Sequence, residues 1–168
     1  MPSIDVDGLL FDFPTPWHVS KFDDWAFYRR QFSRMWSGIK SIDLLAVDPE
    51  KTAWFIEVKD YSEHVRANPS DLGDEVAHKV FDTLAAMLAA KLNGNDAEEI
   101  EMATAVLGAK RLRVVLHLEQ PVKHSSFRPR AINPLDVEQR LRALLKPVDP
   151  HAVVVESSRM GSLAWSVK

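Results

Sequence analysis

The chain of 168 residues contains no cysteine. That absence excludes disulfides, thiolate zinc sites, thiol nucleophiles and redox switching, and it fits a reducing compartment. Long apolar runs are also missing, because charges interrupt every hydrophobic stretch before membrane-spanning length. The opening Met1-Pro2-Ser3-Ile4-Asp5 lacks the basic segment and apolar run of a signal peptide, so a cytoplasmic location is expected. Excess positive charge is lacking too: 21 Lys and Arg face 24 Asp and Glu, a formal net charge of -3. A protein that coats nucleic acid by charge alone is thereby excluded, and any such contact must be local. Basic clusters do occur at Arg29-Arg30-Arg34-Lys40, Lys110-Arg111-Arg113 and Lys123-His124-Arg128-Arg130, and each reads first as a solvated face.

No internal repeat, low-complexity tract or linker appears, and the size suits one domain over 1–168. Such a chain buries roughly two-thirds of its unfolded surface and needs no structural metal, so a bound metal would serve chemistry.

Along the chain, Ile4 to Phe13 alternates as a strand or hairpin around Gly8 and ends at Pro14 and Pro16. From Lys21 to Ser37, Phe22, Trp25, Phe32, Met35 and Trp36 fall near helical spacing, with Ser20 and Asp23 placed like a capping box and Gly38 as the stop. Ser41 to Val47 and Thr52 to Asp60 are two apolar runs joined by Asp48-Pro49-Glu50-Lys51, the pattern of an antiparallel hairpin. A polar loop with Asn68-Pro69-Ser70 leads into a long helix from about Asp71 to Leu92, expected to bury Leu72, Val76, Val80, Leu84, Leu88 and Leu92 and to stop at Asn93-Gly94. A further helix spans roughly Asp96 to Leu107. Arg111 to Leu118 reads as a strand, and its continuous Val114-Val115-Leu116 suits one covered on both faces. Asn133-Pro134 opens a helix to Lys146, and Ala152 to Glu156 and Leu163 to Val167 are strands. Strands with interleaved helices define a layered α/β (α+β) domain.

Chemistry concentrates in the hairpin. Side chains alternate along a strand, so Glu57 and Lys59 share one face while Ile56 and Val58 take the other. Asp43, flanked by Ile42 and Leu44 on the preceding strand, comes beside Glu57 in the right register. Two carboxylates and an ammonium then converge next to hydrophobic residues. One outcome is a cross-strand ion pair on a sheet face; the other is a metal-dependent catalytic site. Magnesium prefers oxygen ligands and is commonly held by one or two carboxylates, which Asp43 and Glu57 supply, with the Val58 carbonyl as a further oxygen.

This pattern resembles the PD-(D/E)XK superfamily of restriction endonucleases, Holliday-junction resolvases and RecB-type exonuclease domains. The matching stretch is Ile42 to Lys59, with Asp43 at the aspartate position, Glu57 at the D/E position and Lys59 at the lysine. Position 42 is Ile where the motif's name has Pro, and Lys21 to Ser37 contains no glutamate, which some members carry on the first helix. The resemblance implies a central mixed β-sheet flanked by helices, the restriction-endonuclease-like fold. It further implies Mg2+ or Mn2+ on the two acids, lysine assistance to the attack, and nucleic acid, DNA in particular, as substrate. A homodimer or larger complex would suit double-strand cutting. Some members place a polar residue on the following helix, and the stripe Glu75, Lys79 and Asp82 offers Lys79 for that place. A catalytically inactive binding or assembly module, with Asp43, Glu57 and Lys59 as an ion-pair cluster, is the competing expectation.

Other signals carry less. The six histidines form no HExxH or close ligand pair, and His117, inside an apolar strand, is expected to be a hydrogen-bonded core residue. His64 and Arg66 lie in a loop within reach of a substrate phosphate. Lys40 reads as a surface lysine. The five tryptophans at positions 17, 25, 36, 54 and 165 are expected in the core.

Overall fold

The computed structural model describes residues 1–68 and 70–168; Pro69, in the expected Asn68-Pro69-Ser70 loop, lies outside them. Its elements run β1 (Ser3–Val6), β2 (Leu9–Asp12), β3 (His18–Lys21), α1 (Ala26–Arg30), β4 (Leu44–Val47), β5 (Thr52–Asp60), α2 (Leu72–Asn93), α3 (Ala97–Leu107), β6 (Arg111–Glu119), α4 (Pro134–Leu144), β7 (Val153–Val155) and β8 (Ser166–Val167). Five strands form a sheet in the order β3-β4-β5-β6-β7, and β1, β2 and β8 form a second, smaller one. Within the larger sheet β3, β4 and β5 pair antiparallel, whereas β5, β6 and β7 pair parallel. Parallel neighbours cannot be joined by a tight turn. Accordingly α2 and α3 lie between β5 and β6, and α4 lies between β6 and β7. The fold is therefore an α+β layered one with a mixed five-stranded sheet flanked by helices, as expected.

Burial follows the strand period of two. Phe55, Val114 and Leu116 pack with Leu72, Val76, Met87, Met102 and Leu141 of the helices. Leu44, Ile56, Val58 and Val115 point the other way, onto Phe11, Phe13, Trp165 and Val167 of the small sheet and its flanks. The run Val114-Val115-Leu116 is thus apolar because both of its faces are covered. The small sheet begins with a two-residue turn in which Asp7 (φ 53°) and Gly8 (φ 89°) both take the left-handed region. Asp-Gly is the dipeptide that tolerates this, and it fixes β1 against β2.

The helix caps are local. Asp71 accepts from the Asp74 amide, Asp96 from the Glu98 and Glu99 amides, and Asn133 from the Leu135 amide. Each satisfies donors that have no partner inside the first helical turn.

Three expectations are corrected. The segment Lys21 to Ser37 is not one helix: it holds the end of β3, the five residues of α1 and two 3-10 turns at Phe22–Asp24 and Phe32–Arg34. Ser20 is a strand residue whose hydroxyl accepts from Trp25 Nε1 at 2.7 Å, and no capping box forms. The amides that open α1, Ala26 and Phe27, instead donate to the Glu99 carboxylate of α3 at 2.6 and 3.1 Å. Second, the buried stripe of α2 is Leu72, Val76, Val80, Thr83, Met87 and Ala90, whereas Leu84 is part-buried and Leu88 and Leu92 are exposed. At 3.6 residues per turn, a strict spacing of four drifts around the helix, so the last leucines of that series leave the core. Third, Trp36 is exposed, unlike buried Trp25 and Trp165 and part-buried Trp17 and Trp54. Among the described residues, no helix is long and apolar enough to cross a membrane.

Candidate active site

The β4–β5 register pairs Leu44 with Ile56 and Leu45 with Phe55. One further step sets residue 43 opposite residue 57, the register that the sequence pattern required. Asp43 itself sits in a bend just before β4, not on the strand. Its backbone is pinned on both sides: its carbonyl accepts from the Phe22 amide at 2.8 Å, and the Ile42 amide donates to Thr83 Oγ1 of α2 at 3.2 Å. Asp43 Oδ2 accepts from the Val58 amide at 2.7 Å. The ladder with β4 ends at Ile56, so Asp43 takes over an amide that the strand pairing leaves free. The amide and carbonyl of one strand residue point to the same edge, so the Val58 carbonyl faces the Asp43 side as well.

Glu57 is fully buried. Its Oε1 meets Lys79 Nζ at 2.5 Å and Lys59 Nζ at 3.2 Å, and its Oε2 has no hydrogen-bond partner among the described residues. Lys59 continues to Glu75 Oε1 at 3.1 Å, and Glu75 Oε2 meets Arg66 at 2.8 Å. Glu75 and Lys79 are four residues apart on α2 and so share the helix face that overlies the end of β5. Asp43, Glu57, Lys59 and Lys79 are thus brought together as the sequence pattern expected. Val58 contributes backbone, with its side chain in the opposite core. The sheet face that carries Glu57 is not solvated, since α2 covers it.

Two members went unassigned in the sequence. Arg66 reads there as a loop residue within reach of a substrate phosphate, and Glu75 as part of a polar stripe; only the packing of α2 against β5 reveals that they complete the chain of charges. Asp23, part-buried in the turn after β3, is close enough for its charge to be felt by Asp43. Lys40 stays outside the cluster, and its backbone amide donates to Asp82. His64 is exposed. His117 is the expected core histidine, fully buried, with Nε2 2.8 Å from Glu119 Oε1.

Electrostatics set the acids apart. Burial and then the neighbouring Asp43 push the Glu57 carboxyl up to about 7, against the pull of two ammonium groups. Burial also raises Asp43, although Lys79, the Val58 amide and Lys59 oppose it. Asp23 is raised to about 6 by burial and by Asp43. Burial disfavours the Lys59 ammonium, but Glu57 and Glu75 outweigh it and hold the group above the ordinary lysine value. Glu75 is lowered overall because Lys59 and Arg66 overcome its own burial.

Two adjacent carboxylates that hold protons too tightly, a buried carboxylate oxygen without a donor, and a carbonyl on the same edge fit an oxygen-ligated divalent cation. Among the described residues, no three His, Asp or Glu side chains converge as a metal-binding group. Any ion here would therefore use two side chains, backbone oxygen and water, which is magnesium's habit.

No family model matches the chain, and no solved structure matches it. Among curated proteins, it is similar to the cysteine-tRNA ligase of Neisseria meningitidis serogroup A, with 27% identity over 159 residues, covering 77% of this chain and 23% of that protein. The chain thus spans under a quarter of the length of that relative.

Proposed function

We propose that the chain is a divalent-metal-dependent nuclease domain of the PD-(D/E)XK type. The observation that carries this reading is the meeting of Asp43, Glu57 and Lys59 where the β4–β5 ladder ends, with Glu57 Oε2 buried and, among the described residues, unpartnered. Asp43, Glu57 and the Val58 carbonyl would hold Mg2+ or Mn2+. Bound there, the ion would acidify an attacking water and neutralise charge growing on the scissile phosphate. Lys59, a compact point charge, would orient the nucleophile or the phosphate oxygen. Lys79 keeps Glu57 in place and compensates its charge. DNA is the favoured substrate on resemblance; the cysteine-tRNA ligase relative makes RNA the second substrate to test. A cytoplasmic setting agrees with the cysteine-free composition, and a homodimer would suit cuts in both strands.

One observation favours a second reading. Two acids, Glu57 and Glu75, are linked by ion pairs to three cations, Lys59, Lys79 and Arg66, and Glu57 Oε1 is already shared by two ammonium groups. A closed cluster of this kind also suits a non-catalytic binding or assembly module.

The nuclease reading expects Mg2+ or Mn2+ to raise the melting temperature and to support cleavage of single-stranded, duplex or branched DNA or of RNA. Lys59→Ala abolishes that cleavage with the fold intact. Unchanged melting with both metals, together with no cleavage of any substrate, leaves the binding module as the answer.

A further inference from the structure

We infer that the loop from Pro121 to Ile132 is a finger that engages single-stranded nucleic acid, with Phe127 stacking on an unpaired base and Lys123 and Arg128 holding the flanking phosphates. The inference rests on the nuclease reading for its substrate class and goes beyond it by naming the strand form and the element that takes it.

The loop is built rather than loose. At its base the buried Gln120 side chain donates to the Ile132 carbonyl at 3.0 Å and accepts from the Ile132 amide at 3.1 Å, imitating a ladder rung. Arg130 donates to the Pro121 carbonyl at 2.7 Å and pairs with Glu156 at 2.9 Å, while its amide donates to His124 Nδ1 at 3.1 Å. Near the tip the Arg128 amide donates to Ser125 Oγ at 2.9 Å. On this anchored frame Phe127 is 94% exposed. Leaving a phenyl ring in water forgoes the stabilisation that its burial would supply. An aromatic held out in this way is a stacking platform.

Charge selects the partner. From Pro121 to Leu135 there is no Asp or Glu, while Lys123, Arg128 and Arg130 all fall within that stretch of a chain whose net charge is -3. Among the described residues, the carboxylate meeting the tip is Glu63, which pairs with Arg128 at 2.9 Å where both side chains are more than half exposed. Exposed pairs of this kind add little to stability, so a phosphate can replace Glu63. A basic, acid-free loop with a bare aromatic ring matches a polyanion that presents unstacked bases. Duplex offers its bases stacked and paired and fits the ring poorly.

The finger also adjoins the loop that follows β5 and leads to the site. Glu63 and Arg66 share the loop after β5, Arg66 meets Glu75, and Glu75 meets Lys59. A strand held by Phe127 and Arg128 is therefore led along that loop toward Lys59 and Glu57.

The test is fluorescence anisotropy on the full chain in EDTA, so that binding is read apart from cleavage. The probes are labelled DNA and RNA single strands of roughly 20 nucleotides, longer than one such site, and the matching duplex. Tighter binding of single strand than of duplex is expected, with Phe127→Ala weakening it about tenfold and Phe127→Trp retaining it. The double change Lys123→Ser with Arg128→Ser weakens binding and flattens its salt dependence. Because Phe127 is almost wholly exposed, its variants should melt like the wild type. Equal affinity of Phe127→Ala and wild type, preference for duplex, no binding at low salt, or a Phe127→Ala effect on self-association alone would each overturn the finger. Metal-dependent cleavage lost in Lys59→Ala but indifferent to Phe127 sinks the finger and spares the nuclease; Phe127-dependent binding without cleavage upholds the finger and sinks the nuclease.

Discussion

Lys79 Nζ lies 2.5 Å from Glu57 Oε1, joining the second turn of α2 to the central strand β5. That contact makes a fully buried carboxylate tolerable, because an ionised group without a partner is expensive in a low-dielectric interior. It also couples the helix layer to the residues that would hold a metal.

Replacing Lys79 by methionine keeps much of the volume and removes the charge. The loss expected at pH 8 is about 2 kcal/mol, since Lys59 remains as a partial partner. At pH 5 the Glu57 carboxyl holds a proton, and the loss should shrink. Urea denaturation at the two pH values measures this; an equal loss at both would mean that Lys79 acts through packing and not through charge.

Glu57 makes stability depend on pH in an unusual direction for an acid. Its folded value, about 7, lies above the ordinary carboxyl value of 4.5, so the folded state keeps a proton that the unfolded chain has released between them. The contribution is therefore complete below about pH 4.5 and is lost as pH rises through 7. Glu57→Gln removes this dependence. The stability of wild type relative to the variant should fall between pH 5 and pH 8, by up to about 1.4 kcal/mol per pH unit within that window. A relative stability that rises with pH would contradict the buried, proton-holding carboxyl.

The two faces of α2 should respond very differently to truncation. Met87 is fully buried among the helix-side core residues, and Met87→Ala should cost about 2–5 kcal/mol. Its neighbour Leu88 is 55% exposed, and Leu88→Ala should stay within about 0.5 kcal/mol. Chemical denaturation of both variants checks the rotation of the stripe. A large cost at Leu88 would restore the spacing of four.

Much of the fold is legible where short-range physics decides it. The bounds of β5 follow from an apolar run between turn formers, the start of α3 from its leading acids and that of α4 from Asn133-Pro134. A hairpin around Gly8 is one of the two options that the sequence leaves open there, whereas the end of α4 falls at Leu144, short of the expected Lys146. The segment from His18 to Ser37 was not legible. There β3 hides in a helical spacing of aromatics, and α1 starts where it does because Glu99, more than 70 residues away in sequence, accepts its first amides. Phe22, Trp25, Phe27 and Phe32 are buried by tertiary contacts that no helical period describes.

The site divides in the same way. Asp43, Glu57, Val58 and Lys59 could be placed from sequence because strand alternation has a period of two and a four-residue connection leaves few registers. The roles of Lys79, Glu75 and Arg66 depend on how α2 leans over β5, and the burial of Glu57 depends on a helix layer that its own strand does not encode. The chain's local pattern thus determined the hairpin and the side on which its charges project. Only the tertiary structure decided how those charges are paired, because pairing and burial are set by distances between elements, and these arise when separate apolar faces pack together.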